Sequence, residues 1–410
     1  MTPRRVAPAS LLASLGLLAL AAASLGPLLL EPRPVRPAAL PPALPVLWLK
    51  LVVVALLAVP VVLWIRAQRR TERHPVLLGL GLVLAGGLMT ALHWWIVDRR
   101  VAVVPLTPGG RPQELFYARA WQQYLYAAVF NHWTEPFLAS VLPHIYRPLP
   151  YGFTRSLERL TGDWAFACAA YRWFFDFWLA AACYRFVRLF HDPAKAGIAV
   201  GILLALYPFS IMYYWGQLTD PISHALFVLA LLWIVEDWWP GVVAAVLLGM
   251  LAKETAAVLV PAYWVCHRGE GRAVTWKAAA LGAGCAAAFV GTRWPLGWRG
   301  ASPLHSFSGL MIKANLVGDP AVITDVPVYQ NYLQVILFVG IFVPAIARRW
   351  RVIDPRLKAL GLTLVPLILL GGLCFSWLYE SRNYVPLLPL LAAMALGPPA
   401  GRVAPRQDAG

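Results

Sequence analysis

The sequence predicts an all-α integral membrane protein: a polytopic helical bundle of about 11 spans plus one split re-entrant hairpin, with a large outer loop carrying amphipathic helices. Three observations lead there. The 410 residues are 60% hydrophobic and 13% charged, and mean hydropathy is +0.64, whereas soluble domains carry about 25% charged residues. Apolar runs long enough to cross a bilayer recur along the chain. Nineteen Trp suit interfacial belts, with His93–Trp95 and Asp237–Trp239 as rim anchors.

Net charge is +16. In such a chain this is read first as topology and contact with anionic headgroups, with no nucleic-acid partner implied. The five cysteines, Cys168, Cys183, Cys266, Cys285 and Cys374, lie in or beside apolar segments. They have no metal-ligand spacing and mark no disulfide-stapled outer domain. The eight His form no ligand-spaced cluster, so no metal site and no cofactor are expected, although a divalent metal is not excluded.

The apolar runs are 9–30, 46–65, 75–97, 164–190, 197–215, 221–235, 276–294, 328–347, 359–378 and 383–398, with a longer run at 238–266. The first follows Arg4 and Arg5. It is long for a signal peptide and long enough to span, so it reads as a retained span with the N-terminus in the cytoplasm. The basic loop RAQRRTERH at 66–74 also falls inside, which puts 98–163 outside. RFVRLFHDPAK at 185–195 returns inside, WGQLTDP at 215–221 lies outside, and EDWW at 236–239 lies inside.

The run 238–266 has 29 residues and holds GMLAKETAAVLVP, with Lys253 and Glu254 side by side. Charges deep in a bilayer are costly and mark function. A single span would leave the basic loops CHRGEGRAVTWK and ARRWRVIDPRLK outside, against the rule for Arg and Lys. A chain that turns back at KET puts both inside. Each arm of about 14 residues would rise about 20 Å, short of a core of about 30 Å. A hairpin of two short helices is therefore predicted, its Lys253–Glu254 tip facing outward and lining a cavity.

Segments 1–74 form two N-terminal spans, 75–397 a membrane core with outer loops 98–163 and 295–327, and 398–410 a cytoplasmic disordered tail. Within the first outer loop, RPQELFYARAWQQYLYAAVFNHW reads as an amphipathic helix lying on the membrane.

This topology brings Asp98, Arg147, Gln217, Asp220, Lys253, Glu254, Glu380 and Arg382 to one outer face. Acids able to move protons beside cations able to hold a phosphate point to chemistry on an anionic, membrane-bound substrate. A span ending in an acid before a long outer loop, GQLTDP after a span, LAKETA at the hairpin, and ESRNYVPLLPL before the last span resemble the membrane-embedded C-type glycosyltransferases. The resemblance covers about 75 to 397. It implies a polyprenyl-phosphate-sugar donor, a lipid, glycan or protein acceptor, inversion at the sugar, and transfer at the outer face of the bacterial cytoplasmic membrane; the loop charges, with GRVAPR near the end of the sequence, put both termini in the cytoplasm. The chain departs from the family in lacking an acidic pair early in its first large outer loop.

Each candidate has a plainer reading beside it. Asp98 as general base also fits a boundary acid paired with Arg99 or Arg100. Glu114 is a second base candidate, or a solvated helix residue, and Glu135 is another. Lys253, Arg382 and Arg147 are candidate phosphate ligands. Lys253 also fits an ion pair with Glu254 or snorkelling to the headgroups, Arg382 a latch with Glu380, and Arg147 a headgroup contact. Gln217 is a candidate sugar contact. Asp220 or Thr219 is a natural helix N-cap with Pro221 as first helical residue. Asp176 is expected to pair with Arg172, one turn earlier. The alternatives to an enzyme are a non-catalytic prenyl-phosphate-lipid-binding or envelope scaffold protein, or a lipid or solute transporter. No repeat of broken helices is visible to favour the transporter.

Overall fold

The computed structural model describes residues 46–99, 101–104, 114–117, 122–123, 126, 129, 144–212, 217–294, 309–318 and 328–397. The apolar run 9–30, Glu135, the parts 295–308 and 319–327 of the second outer loop, the tail 398–410 and the side chains of Asp98 and Glu114 lie outside the described residues. The helices are α1 (Val46–Gln68), α2 (Pro75–Arg99), α3 (Pro148–Thr161), α4 (Trp164–Arg188), α5 (Pro193–Met212), α6 (Thr219–Val235), α7 (Trp239–Ala252), α8 (Leu259–His267), α9 (Arg272–Arg293), α10 (Gly309–Leu316), α11 (Tyr329–Phe338), α12 (Val343–Arg349), α13 (Pro355–Phe375) and α14 (Leu388–Ala395).

Two helices form the centre. All 17 residues of α6 are buried, and most of α4 is buried as well. A helix buried nearly all round needs packing partners on every side. Here α4 obtains them from α2, α3, α5 and α6, and α6 also packs on α7. The α2–α4 crossing is close because Gly86 presses on the backbone. A Cβ there would meet Phe177 N at 2.8 Å.

Five helices are long and apolar enough to cross a membrane: Leu47–Gln68, Pro75–Val97, Pro193–Ile211, Arg272–Arg293 and Pro355–Phe375. Tyr329–Phe338 and Gly340–Val352, bent by 42°, make a sixth if taken as one span. The chain is thus a helical protein suited to a membrane. The other apolar runs behave differently. Helix α4 carries Arg172, Asp176, Arg185 and Arg188, α6 and α7 are short, and 383–398 forms 3-10 turns and the eight-residue α14.

The peripheral helices expose apolar side chains, such as Leu84 at 71%, as lipid contact requires. Exposed Trp residues mark both ends of α9. Trp276 and Trp294 stand 18 positions apart, a rise of about 27 Å that matches a hydrocarbon core. Trp48 and Trp95 are exposed at the Trp294 end. Of the expected rim anchors, Trp95 is exposed, but Trp238 is buried because its ring meets Trp233 edge-on at 4.9 Å. His93 is also buried.

Two expectations change, one in the first outer loop and one in the run 328–347. Residues Val101–Val104 and Glu114–Tyr117 pair as antiparallel strands β1 and β2, with Val104 opposite Glu114. Glu114 is therefore on a strand and not on a surface helix. The β-branched VAVV and aromatic ELFY suit a ladder better than a helix. A second broken helix also exists, at Val339 between α11 and α12, which the sequence did not announce because no charge marks it.

Candidate functional site

The chain reverses at Lys253. That residue is extended, at φ −164° and ψ 130°, between α7 and a 3-10 turn at Glu254–Val258 that leads into α8. Gly249 makes room for the return, since a Cβ there would meet the Ala256 Cβ at 2.8 Å. The far ends of the two arms meet again, with the Trp239 and Tyr263 rings 4.9 Å apart. This extended residue sends the neighbouring side chains of Lys253 and Glu254 to different partners.

Lys253 Nζ donates to Asn383 Oδ1 at 2.7 Å and lies 3.6 Å from Asp220 Oδ1. Arg382 donates to both oxygens of Asp220, at 3.4 and 3.5 Å, and its Nε and Nη2 both reach Glu380 Oε2, at 3.3 and 3.0 Å. Asn383 Nδ2 adds a bond to Glu380 at 3.4 Å. These five residues join the start of α6, the hairpin tip and the 3-10 turn before α14, and their four charged side chains are each exposed by 7% or less.

Glu254 forms a second cluster beside the first. Its Oε2 accepts from Arg147 Nε and Nη2, at 3.1 and 2.9 Å, and its Oε1 accepts from Arg293 Nη2 at 2.8 Å. Arg293 also lies over the rings of Tyr146 and Phe289, at 4.5 and 3.6 Å, a cation–π arrangement. Trp294, the next residue, is exposed, so this cluster sits at the level of the Trp belt.

All seven predicted residues whose side chains are described therefore converge: Arg147, Gln217, Asp220, Lys253, Glu254, Glu380 and Arg382. Several plainer readings are corrected. Lys253 pairs with Asp220 and not with Glu254, because the break in the helix separates the neighbours. Asp220 does not cap α6: the helix begins at Thr219, Leu218 is the N-cap, and no side chain caps it. The Asp220 carboxylate instead stands in the first turn, where a helix N-terminus also favours negative charge. Arg147 contacts Glu254 and is itself buried. The Arg382–Glu380 latch is present, yet Arg382 also reaches Asp220. Asp176 accepts from Thr90 and Tyr207, both at 3.1 Å, tying α2, α4 and α5; Arg172, its expected partner one turn earlier, interacts with it electrostatically and also reaches the Gln217 carbonyl at 3.4 Å.

The sequence reading missed Arg293, Asn383 and His224. Arg293 ends an apolar span and Asn383 lies inside the quoted ESRN. His224 stands four residues after Asp220, on the same helix face. Three buried polar atoms here have no partner among the described residues: Gln217 Oε1, Thr219 Oγ1 and His224 Nε2. Buried polar atoms are normally satisfied, so this group is equipped to accept a polar ligand. Asp98 belongs to the last turn of α2, at this same end of the bundle.

An apolar groove of about 580 Å³ lies between α7 and α9. It is lined by Trp239, Val243, Leu247, Leu251, Gly284 and Ala288, and Leu251 is two positions from Lys253.

At the opposite end Arg188 meets Glu72 at 3.0 Å, Arg185 meets Glu236 at 3.4 Å, and Arg356 reaches the Val235 carbonyl at 3.3 Å. Asp237, His267 and Glu270 gather there, with their ligand atoms within 4.8 Å of one another.

No protein family, no curated protein and no solved structure matches the chain.

Proposed function

We propose that the chain is an integral membrane glycosyltransferase of the C-type kind, moving a sugar from a polyprenyl-phosphate donor to a lipid, glycan or protein acceptor. The observation that carries the reading is the pair of clusters around Lys253 and Glu254. Among the described residues, Arg147, Lys253, Arg293 and Arg382 stand against Asp220, Glu254 and Glu380, four cations to three carboxylates. A phosphate would meet this cationic excess and find donors held in place beforehand.

In this reading the prenyl chain lies in the α7–α9 groove and its phosphate reaches Lys253 and Arg382, with Arg147 in support. Asp98 takes the proton of the acceptor hydroxyl as its oxygen attacks the anomeric carbon. The bond from that carbon to the phosphate oxygen breaks, and the electron pair leaves on a phosphate whose charge the cations stabilise. Gln217, with its free carbonyl oxygen, serves a sugar hydroxyl. No cofactor enters this scheme.

The same reading assigns sides. Segments 66–74, 185–195, 236–237, 266–277 and 347–358 hold 15 Arg and Lys against 6 Asp and Glu, which supports a cytoplasmic side at that end and an outer side at the Lys253 end. About 11 crossings then require the short and charged helices to be counted with the long ones, and the Lys253 hairpin to be re-entrant.

The second broken helix favours a transporter as the rival, because broken helices in both halves are a mark of that class. The two breaks differ, however. Lys253 is charged and lies near the Trp belt, whereas Val339 is apolar and lies ten residues into its span.

The test is transfer from a radiolabelled polyprenyl-phosphate-hexose panel in membranes holding wild type, Asp98→Asn or Lys253→Ala at equal protein levels. Wild-type transfer that both variants lose is the expected result. Loss in Lys253→Ala alone moves the base to Glu114 or Glu135. Lipid retention without transfer favours a binding or scaffold protein, and neither transfer nor retention overturns the reading.

A further inference from the structure

The opposite end of the bundle holds a second polar cluster that the proposed reaction does not use. Asp237 lies in the turn between α6 and α7, His267 ends α8, and Glu270 closes the 3-10 turn Arg268–Glu270 before α9. Two turns of the chain meet here.

The hydrogen bonds fix the imidazole. His267 Nε2 lies 2.9 Å from the Ile234 carbonyl oxygen. A carbonyl only accepts, so Nε2 carries the hydrogen. The ring is held further by Tyr263, 4.8 Å away, which in turn meets Trp239. Nδ1 of the neutral ring then presents a lone pair, and it faces Glu270 Oε1 at 2.7 Å. Two acceptors at that distance need a positive charge between them. The Asp237 carboxylate is the third acceptor of the group.

Basic residues crowd this end, yet neither Asp237 nor Glu270 has an Arg or Lys within ion-pair distance among the described residues. The nearby Arg356 is engaged by Asp354 at 3.2 Å. Asp237 is also the one non-glycine residue at positive φ, 55°, among the described residues, where the Trp238 N–H closes the end of α6 on the Trp233 carbonyl, so the helix end fixes its backbone in place. The Tyr263 hydroxyl is buried, has no partner among the described residues, and lies within electrostatic reach of both carboxylates.

We propose that Asp237, His267 Nδ1 and Glu270 bind a divalent transition-metal ion such as Zn²⁺. One imidazole nitrogen with two carboxylates is a borderline N,O ligand set. A ligand histidine that donates its other N–H to a backbone carbonyl is the usual supporting arrangement. Zn–N and Zn–O bonds of about 2.0–2.2 Å separate tetrahedral ligand atoms by roughly 3.4 Å. The present atoms reach that by shifts on the order of 1 Å in Asp237 and Glu270, both exposed residues. The ion would tie the α6–α7 turn to the α8–α9 turn at the base of the hairpin whose tip carries Lys253.

A proton on Nδ1 is the competing source of positive charge. It would satisfy Glu270 and leave Asp237 with no role. Calorimetric titration of chelator-stripped, detergent-purified full chain with Zn²⁺ separates the two. One equivalent is expected to bind the wild type and raise its unfolding temperature. Asp237→Asn and Glu270→Gln, at exposed positions the fold does not need, are expected to weaken binding on the order of 100-fold and to lose the thermal shift. The site is refuted if the wild type takes up no Zn²⁺, Mn²⁺ or Co²⁺ at micromolar concentration. It is also refuted if either variant binds as tightly as the wild type.

Discussion

At one end of the bundle, Asp220, Lys253, Glu380 and Arg382 have side chains exposed by 7% or less, and they pair across as many as 162 residues of sequence. At the other end, Arg356 is 46% exposed beside Asp354, and Arg185 and Arg188 keep about a quarter of their side-chain surface. The same residue types serve two ends differently. Solvated Arg and Lys cost little and set which side of a membrane a loop occupies. Desolvated ones are expensive unless their partners are positioned first. The site end therefore depends on geometry, and the basic end depends on number.

The largest effect that follows is at Asp220. Asp220→Ala leaves Lys253 and Arg382 buried with their shared carboxylate gone, and removing one partner of a buried pair costs about 3–5 kcal/mol. Thermal unfolding in detergent should show that loss. A variant with wild-type stability would mean that water reaches the cluster freely, and the contrast between the ends would collapse.

Next in size is a direct comparison of two arginines. Arg293 is 5% exposed, bonded to Glu254 and laid over two rings. Arg293→Ala should cost about 1.5–3 kcal/mol, the range for bonds to charged groups. Arg356→Ala should cost under about 1 kcal/mol, as exposed pairs do. Equal losses in chemical-denaturation midpoints would show that burial does not separate the two ends.

Much of this was legible in the sequence, for reasons that differ by residue. A Lys–Glu pair inside an apolar run is anomalous enough to announce the break at Lys253, and the loop charges dictate that the chain must turn there. GQLTDP and ESRNYVP carry charges beside Gly, Pro and Asn, so their place at helix ends was also readable. Arg293 was hidden because an Arg at the end of a span looks like any boundary residue. Asp220 was misassigned because its local pattern suits a cap, and only the fold brings Arg382 to it. Strands β1 and β2 depend on pairing between distant tetrapeptides, which one window of sequence does not reveal. The cluster of Asp237, His267 and Glu270 was invisible for the same reason: Asp237 is 30 residues from His267.

A smaller effect sharpens the basic end itself. Glu72 there is 6% exposed on its side chain, although its partner Arg188 is more open. Glu72→Gln should cost about 1 kcal/mol, above the usual surface pair, because a partly buried Arg loses its counter-charge. Neutralising Arg188 alone should cost more, because it leaves the more deeply buried Glu72 carboxylate without its counter-charge. A double-mutant cycle on unfolding midpoints measures the pair, and a coupling near zero would class it with Arg356–Asp354.

The smallest effect concerns Asp192, before α5. Its carboxylate accepts the backbone N–H of Lys195 at 2.9 Å, and its carbonyl accepts from Ala196 at 3.1 Å. That backbone N–H, with Lys195 alongside, holds the carboxyl below the usual carboxylate range. A carboxyl whose folded pKa lies below its unfolded value stabilises the fold at pH above the unfolded value, about 3.9. The contribution fades as pH falls through the lower folded value. Asn caps a helix as well as Asp and does not titrate. Hydrogen exchange at the start of α5, corrected for intrinsic rates, should therefore lose protection on acidification in the wild type and much less in Asp192→Asn. Identical acid profiles would mean that the first turn of α5 is held by packing on its neighbours, and that even an exposed charge at the basic end is dispensable to its own helix.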